Sequence, residues 1–513
     1  MNISDQITPW QRALITIAVM SATLIQVLDT TIVNVALPHM QGSLAATPDQ
    51  ITWVLTSYLV ASAIFMPLTG YFTDRLGQKN YLLISIGGFV IASALCGAAE
   101  NLDQLVIFRL LQGVFGAALV PLSQSIIANI FPESERGSAM AIWGMGVMIG
   151  PILGPTLGGY LTEIATWRWN FYINVPVGLI SLFLSWEVVP DTPKKERAMD
   201  WLGLLFISIA IGGCQYVLDR GNQADWFNAR DICIVTFMTL ISFLLFLLHS
   251  TEKQREVHVF DPGVFLDRNF AISSLLLGVC GIGLFGSMVV LPLMTENLFN
   301  YPVLTTGLVM APRGISAMVS MMLVGKLIRW MDPRKIIAMG VILGAIGMYI
   351  GTYYSFVISP GWIIGPILIQ GFGLGMIFVP LSAVAFTTLP ISLRAEGAGL
   401  FSLLRTIGSS IGISIVATLL TRQAQSAWNR LGGHIQPYSS AVYQYLYPLH
   451  LNPLSSKGAA VLGLTLGRQS QMLAFVDIYA FIMWSFLIML PFIFLLKRPP
   501  TAEKDVSPLP VGE

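Results

Sequence analysis

Charge is scarce in this sequence. Its 513 residues include 28 lysines and arginines and 27 aspartates and glutamates, 11% in all, where a soluble globular protein carries about 25%. With 55% hydrophobic residues and a mean hydropathy of +0.72, a soluble enzyme with a large core is excluded and a polytopic helical membrane protein is indicated. Cysteine is scarce too. Cys96, Cys214, Cys233 and Cys280 lie in apolar runs, so they read as small core residues and no disulfide framework is expected. The five histidines (His39, His249, His258, His434, His450) are scattered over loops and span ends, without metal-ligand or triad spacing. The Gly-x-x-x-x-Gly-Lys-Ser/Thr phosphate loop is missing, so nothing marks an ATP-driven pump. The first apolar run is too long for a signal peptide and lacks a small-residue cleavage site after it, so no cleavable leader is expected. The net charge of +1 says nothing about partners; no cofactor and no nucleic-acid partner is expected.

What the chain has is long apolar runs. A window of about 19 residues finds fourteen candidate spans, near 12–36, 51–72, 81–99, 104–130, 137–161, 171–189, 200–218, 230–250, 270–297, 304–328, 335–356, 361–388, 396–421 and 472–496. An even count puts both termini on one side. With the termini inside, the inner segments hold eighteen lysines and arginines and the outer loops seven. The positive-inside rule therefore makes the termini cytoplasmic. Between spans lie two charged inner linkers, 190–199 (with Lys194, Lys195 and Arg197) and 251–269, and an outer loop, 422–471, far longer than the others. The tail after Lys497 is rich in proline and reads as unstructured.

The chain repeats itself. Leu111-Gln112-Gly113 followed by Val120-Pro121-Leu122-Ser123 recurs as Ile369-Gln370-Gly371 followed by Val379-Pro380-Leu381-Ser382. Leu37-Pro38 recurs as Leu291-Pro292, Gly70 as Gly325 and Arg136 as Arg394, with the offset always within 254–259 residues. This predicts an all-α fold of two six-helix bundles, 1–189 and 270–496 (the latter including the 422–471 loop), two inserted helices with their linkers at 190–269, and a tail at 497–513. Two repeated bundles around a midplane cavity are a hallmark of secondary transporters.

Ionisable residues inside spans are rare and therefore informative. Asp29 lies deep in the first span, where a carboxylate costs about 2.5–3.5 kcal/mol on insertion scales. Gln26 and Val33 share its face. Arg109 lies early in span 4 with Gln112, Gly113 and Gly116 on its face; Asp29 is the deep carboxylate able to answer it. Two readings stay open: a structural ion pair, or a pair whose proton comes and goes. The repeat copy has Ile367 in place of Arg109, which puts this chemistry in the N-terminal half. Arg313 in span 10 and Arg405 in span 13 have no such acid, and are expected near the midplane. They are met there by carbonyls and water, or they make the cavity wall, with Gln26 and Gln112, attractive to neutral or weakly acidic substrates.

Two glycine patterns complete the set. Gly70, Asp74, Arg75, Gly77 and Lys79 form the inner turn between spans 2 and 3, either a plain basic turn or a latch between halves; the second copy has Arg329 where Asp74 would fall. Gly146, Gly150-Pro151, Gly154-Pro155 and Gly158-Gly159 give span 5 a flat ridge with prolines. It serves tight packing, or a hinge that also seals one half against the other.

Taken together, these residues resemble the major facilitator superfamily, and within it the 14-helix drug:proton antiporters of the EmrB/QacA type, closest to the EmrB branch. The resemblance covers essentially the whole length. It rests on Asp29 to Pro38, Gly70 to Lys79, Arg109 to Gly116, Gly150 to Gly159, Trp167-Arg168-Trp169, Phe171 and Asn174-Val175-Pro176-Val177-Gly178. The Gly150–Gly159 stretch is similar to the family's antiporter motif. The resemblance implies an inner-membrane antiporter exporting lipophilic compounds in exchange for protons, and, for this branch, a periplasmic adaptor and an outer-membrane channel as partners. Some relatives exporting dications carry an acid in helix 10; here that span has Arg313. An exporter of one endogenous metabolite or siderophore is the alternative within transport, and a non-transporting receptor or scaffold the alternative outside it.

Overall fold

In a bilayer every backbone polar group must find its partner within the protein, which leaves helices as the economical solution for so apolar a chain. The computed structural model describes residues 7–132, 135–196, 198–250, 259–261, 263–328, 330–356, 358–436 and 438–497, and helix is the only regular structure among them. Arg197, His258, Arg329, much of the second inner linker and the tail beyond Lys497 lie outside the described residues, as do the side chains of Arg136 and Pro155.

Among the described residues fourteen helices are long and apolar enough to cross a membrane. They are α1 (Pro9–Ser43), α2 (Trp53–Leu76), α3 (Gln78–Ala98), α4 (Leu102–Ile130), α5 (Gly137–Ile164), α6 (Trp169–Val188), α7 (Trp201–Arg220), α8 (Arg230–Ser250), α9 (Arg268–Asn297), α10 (Thr305–Leu327), α11 (Pro333–Gly351), α12 (Gly361–Thr387), α13 (Ile391–Gly432) and α14 (Ser456–Ile493). Several of their starts are capped by side chains that satisfy free N–H groups. Thr8 and Gln11 form a capping box, and Asn101, Asp267 and Ser455 accept from the backbone N–H of Gln104, Phe270 and Gly458.

The helices form two bundles with one packing scheme. In the first, α1 lies on α4, α5 and α6, α2 on α4, and α3 on α4 and α6. In the second, α9 lies on α12, α13 and α14, α10 on α12, and α11 on α12 and α14. The bundles meet where α5 packs on α10 and α12, and where α13 packs on α2 and α4. The inserted pair stays outside both: α7 rests on α2 and α13, and α8 on α7.

The side carrying the start of α1 and the end of α14, here the terminal side, is sealed across the bundles. Trp143 of α5 stacks on Phe378 of α12 at 5.7 Å, the Ser138 hydroxyl donates to the Gly325 carbonyl at 3.0 Å, and Arg394 reaches Asn129 at 3.3 Å. Ile15, Ile126, Met140, Met321, Phe378 and Phe401 share one buried cluster there.

One expectation needs correction. Residues 422–471 are not a long irregular loop. The helix of α13 continues to Gly432 and that of α14 starts at Ser456, leaving 433–455 between them, with a short helix at Ser440–Leu446. At 42 and 38 residues, these helices are about 63 and 57 Å long, against a hydrocarbon thickness of about 30 Å. Gln423–Leu431 carries no glycine or proline to stop it, and good helix formers propagate. The hydropathy window saw only the apolar part.

Candidate functional site

Five helices of the first bundle converge on Asp29. Arg109 of α4 places Nη1 2.6 Å from Asp29 Oδ2. Gln112, one turn further along α4, donates from Nε2 to Oδ1 at 3.0 Å, and Asn174 of α6 donates to the same oxygen at 3.0 Å. Arg109 is held in turn: Nε donates to the Val54 carbonyl of α2 at 3.0 Å, Nη1 to Gln112 Oε1 at 2.8 Å, and the guanidinium lies 4.3 Å from the Tyr58 ring centre. Ser93 of α3 accepts from Asn174 at 3.1 Å. Asp29 is 0% exposed and Arg109 1%.

A buried ion pair is tolerable only when its remaining lone pairs and N–H groups are met, and here both carboxylate oxygens have donors. Asp29 therefore does not face an open cavity; it is enclosed. Gln26 is drawn into the same cluster, donating to the Tyr58 hydroxyl at 3.2 Å. Gln26 and Gln112, expected on the cavity wall, are 7% and 0% exposed.

The glycine ridge of α5 lies directly behind this cluster. A Cβ on Gly150 would stand 2.9 Å from the Val27 backbone carbon, one on Gly158 would stand 2.8 Å from the Ile32 carbonyl, and one on Gly154 would collide with Thr31. Thr31 donates to the Gly150 carbonyl at 3.1 Å. The ridge thus grips the backbone of α1 on both sides of Asp29. A Cβ on Gly146 would run into the flexible end of Met20, whereas Gly159 has 3.8 Å of room beside Val35. The helix continues through Pro151 and Pro155. The opposite face of α5 follows α10 along its length, from Gly137 beside Ile328 to Thr156 beside Gly307. One helix therefore joins the Asp29 cluster to the second bundle.

With this geometry goes a family match: the profile of the Major Facilitator Superfamily covers residues 19–413. The chain belongs to that superfamily. Multidrug export protein EmrB of Escherichia coli (strain K12) is 32% identical over 498 residues, 95% of this chain and 96% of that one. Fatty acid resistance protein FarB of Neisseria gonorrhoeae is 32% identical over 492 residues, again 95% and 96%. The human organic anion transporter MFSD10 shares the fold, with a TM-score of 0.60 at 14% identity over 94% of this chain and 100% of that chain. Within the superfamily the chain stands with the EmrB-type multidrug transporters. It is a multi-pass membrane transporter, not an enzyme.

The inner turn of this transporter has two neighbours. Gly70 allows α2 to touch α13, since a Cβ there would lie 2.9 Å from Glu396 Cα. Beyond it the turn leans on the first inner linker. The Lys195 N–H donates to the Asp74 carbonyl at 2.7 Å, Lys195 Nζ lies 3.9 Å from Asp74 Oδ1, and the Gln78 N–H donates to Thr192 Oγ1 at 2.7 Å. Gly77 takes φ +83° against Thr192, a conformation that favours glycine. Arg75 donates to the Tyr71 hydroxyl at 2.5 Å, and Lys79 is half-buried at the start of α3.

The structure separates the two remaining arginines. Arg313 sits inside the second bundle, donating to Ser287 of α9 and, at 2.8 Å, to Gln370 of α12. Gln370 is the repeat counterpart of Gln112, so a buried guanidinium meets the same glutamine in both halves, and among the described residues a carboxylate joins it only in the first. Arg405 is half-buried, and its side chain has no hydrogen-bond or ion-pair partner among the described residues. Sequence reasoning assigned no place in the cluster to Tyr58, Ser93 or Asn174; only Asn174 carried a signal, inside the Asn174–Gly178 marker.

Proposed function

We propose that the protein is a proton-coupled multidrug efflux antiporter of the inner membrane, exporting neutral or weakly acidic lipophilic compounds by alternating access. The observation carrying this reading is the fully enclosed Asp29–Arg109 pair clamped to α5. A proton on Asp29 removes the charge that Arg109, Gln112 and Asn174 are arranged to hold. It thereby changes the free energy of the cluster by an amount that α5 passes to its contact with α10. With cytoplasmic termini, as the lysine and arginine distribution favours, the sealed terminal side is the cytoplasmic side and the conformation is outward-facing. One elementary charge moving through 100 mV supplies about 2.3 kcal/mol, enough for roughly a 40-fold gradient at about 1.4 kcal/mol per tenfold.

Arg109 is the residue that rewards a charged Asp29; Gly70, Asp74, Arg75, Gly77 and Lys79 hold the inner latch; Arg405 faces the substrate path. The relative named for fatty acid resistance supports an acidic lipophile among the substrates. The projecting ends of α13 and α14 dock a periplasmic adaptor, which hands substrate to an outer-membrane channel. Proteoliposomes loaded with a lipophilic dye test the reading: an imposed proton gradient drives dye exchange, and dye exchange drives proton movement. Dye flux indifferent to the gradient overturns it. A susceptibility panel in a pump-deficient host identifies the substrates.

A further inference from the structure

A second carboxylate lies where the inserted helices meet the seam between the bundles. Asp219 is the last residue but one of α7, half-buried, and its Oδ2 is shut off from solvent with no hydrogen-bond partner. Its Oδ1 accepts from Gln215 Nε2 at 3.2 Å. The same Gln215 nitrogen donates to Ser410 of α13 at 2.7 Å, and Thr56 of α2 stands beside the carboxylate. Asp219 therefore belongs to the bridge by which α7 spans α2 and α13.

The neighbouring charges are engaged elsewhere. Arg220 is turned to Thr52, just before α2, at 3.0 Å and lies over the Trp53 ring at 5.6 Å. Asp225 accepts from Asn228, and Asp231 of α8 accepts from the Tyr216 hydroxyl at 3.3 Å. From α13 the bridge meets Ser410 and, through Trp226, Thr418. Arg405 is five residues before Ser410, about 140° round the helix. No ion pair joins Asp219 to a cation among the described residues.

We propose that Asp219 is a second proton-binding site of this transporter, loaded from the far side. A carboxylate oxygen shielded from water, with no donor of its own, is costly while charged. Loading is a simple transfer that follows opening of the bridge to the far side: hydronium there gives its proton to Oδ2, an O–H bond forms and water leaves. The neutral acid gains a donor of its own and holds Gln215 less tightly through Oδ1, which frees the Gln215 amide to turn away from Ser410 and lets α13 move against α7. This rests on the proton-antiport reading, so the test has one arm that needs no transport.

Infrared difference spectra of the purified full-length protein, taken across a pH titration, show the stretching band of protonated carboxyl groups. A component present in wild type and in Asp29→Asn but missing in Asp219→Asn assigns the site. Spectra of Asp219→Asn identical to wild type overturn it. In proteoliposomes, the number of protons exchanged per substrate falls by one in Asp219→Asn and returns in Asp219→Glu. An unchanged proton number with a merely slower rate makes Asp219 a structural bridge and also overturns the proposal. A wild type that exchanges no protons overturns the antiport reading instead and leaves the infrared assignment standing.

Discussion

Arg109 meets Asp29 from one side only: its Nη1 stands 2.6 Å from Oδ2, while Oδ1 is held by two neutral amides, Gln112 and Asn174, each at 3.0 Å. The division matters for Asp29→Asn. An asparagine keeps an acceptor towards the two amides, but then turns its own NH2 to Arg109 and leaves a buried guanidinium without its counter-charge. The expected outcome is loss of proton-driven efflux in vesicles with substrate binding still measurable. Arg109→Ala, which strands the acid, is expected to cost about 3–5 kcal/mol of stability, the usual penalty for breaking a buried pair. Thermal unfolding in detergent checks the second; wild-type transport in Asp29→Asn would remove the carboxylate from the coupling mechanism.

The ridge on α5 yields a contrast between neighbouring glycines. A Cβ at Gly158 meets the rigid Ile32 carbonyl at 2.8 Å, whereas at Gly159 the nearest atom is 3.8 Å away. Gly158→Ala is expected to push α1 off α5, at about 1–3 kcal/mol for an overpacked contact, and to slow transport at least tenfold. Gly159→Ala is expected to leave both nearly unchanged. Transport rates and unfolding temperatures of the two variants, measured side by side, decide it; equal behaviour would mean the ridge does not transmit the state of Asp29.

The pairing of Asp29 with Arg109 was legible in the sequence because a lone acid and a lone base stand out in apolar helices. The Gln112–Gln370 repeat likewise announced two bundles. The neutral members of the cluster were not legible. Tyr58 and Ser93 look like any polar residue in a membrane helix, and only three-dimensional packing brings α2 and α3 to α4. Asp219 was missed for another reason: the hydropathy window ended α7 at 218, whereas hydrogen bonding carries the helix to Arg220. The same bias towards apolar residues hid the helical ends of α13 and α14.

Those ends make a rigid platform rather than a tether. Tyr438, Tyr443, Tyr445 and Tyr447 are 80%, 45%, 48% and 81% exposed on the connecting segment, and a groove of about 500 Å³ nearby is lined by Gln425, Trp428, Asn429 and Gln471. Exposed tyrosines of this kind are enriched at protein interfaces. Replacing 433–455 by a short glycine–serine turn is expected to abolish adaptor pull-down while transport in proteoliposomes continues. Undiminished pull-down would remove the proposed docking role from this segment.

The charge of the substrate is tested by the two arginines that the second bundle treats differently. Arg313 is 8% exposed and already has Ser287 and Gln370 as acceptors. Arg405 continues the stripe of Arg394, Ala398 and Phe401, whose first member reaches Asn129 across the sealed terminal side. It therefore emerges beyond the seal, about 6 Å past Phe401 along the helix, towards the space between the bundles. An arginine stays charged in such a place, and on the proposed reading an anionic lipophile arriving there would supply the partner that no described residue provides. Arg405→Ala is expected to lower export of an acidic uncoupler about tenfold relative to a neutral dye, a loss of about 1.4 kcal/mol. Arg313→Ala, by leaving Gln370 and Ser287 without their donor inside the bundle, is expected to lower both alike together with thermal stability. Efflux of the two compounds from the same vesicles measures the ratio directly. If Arg405→Ala slows both compounds equally, its positive charge does not select the substrate.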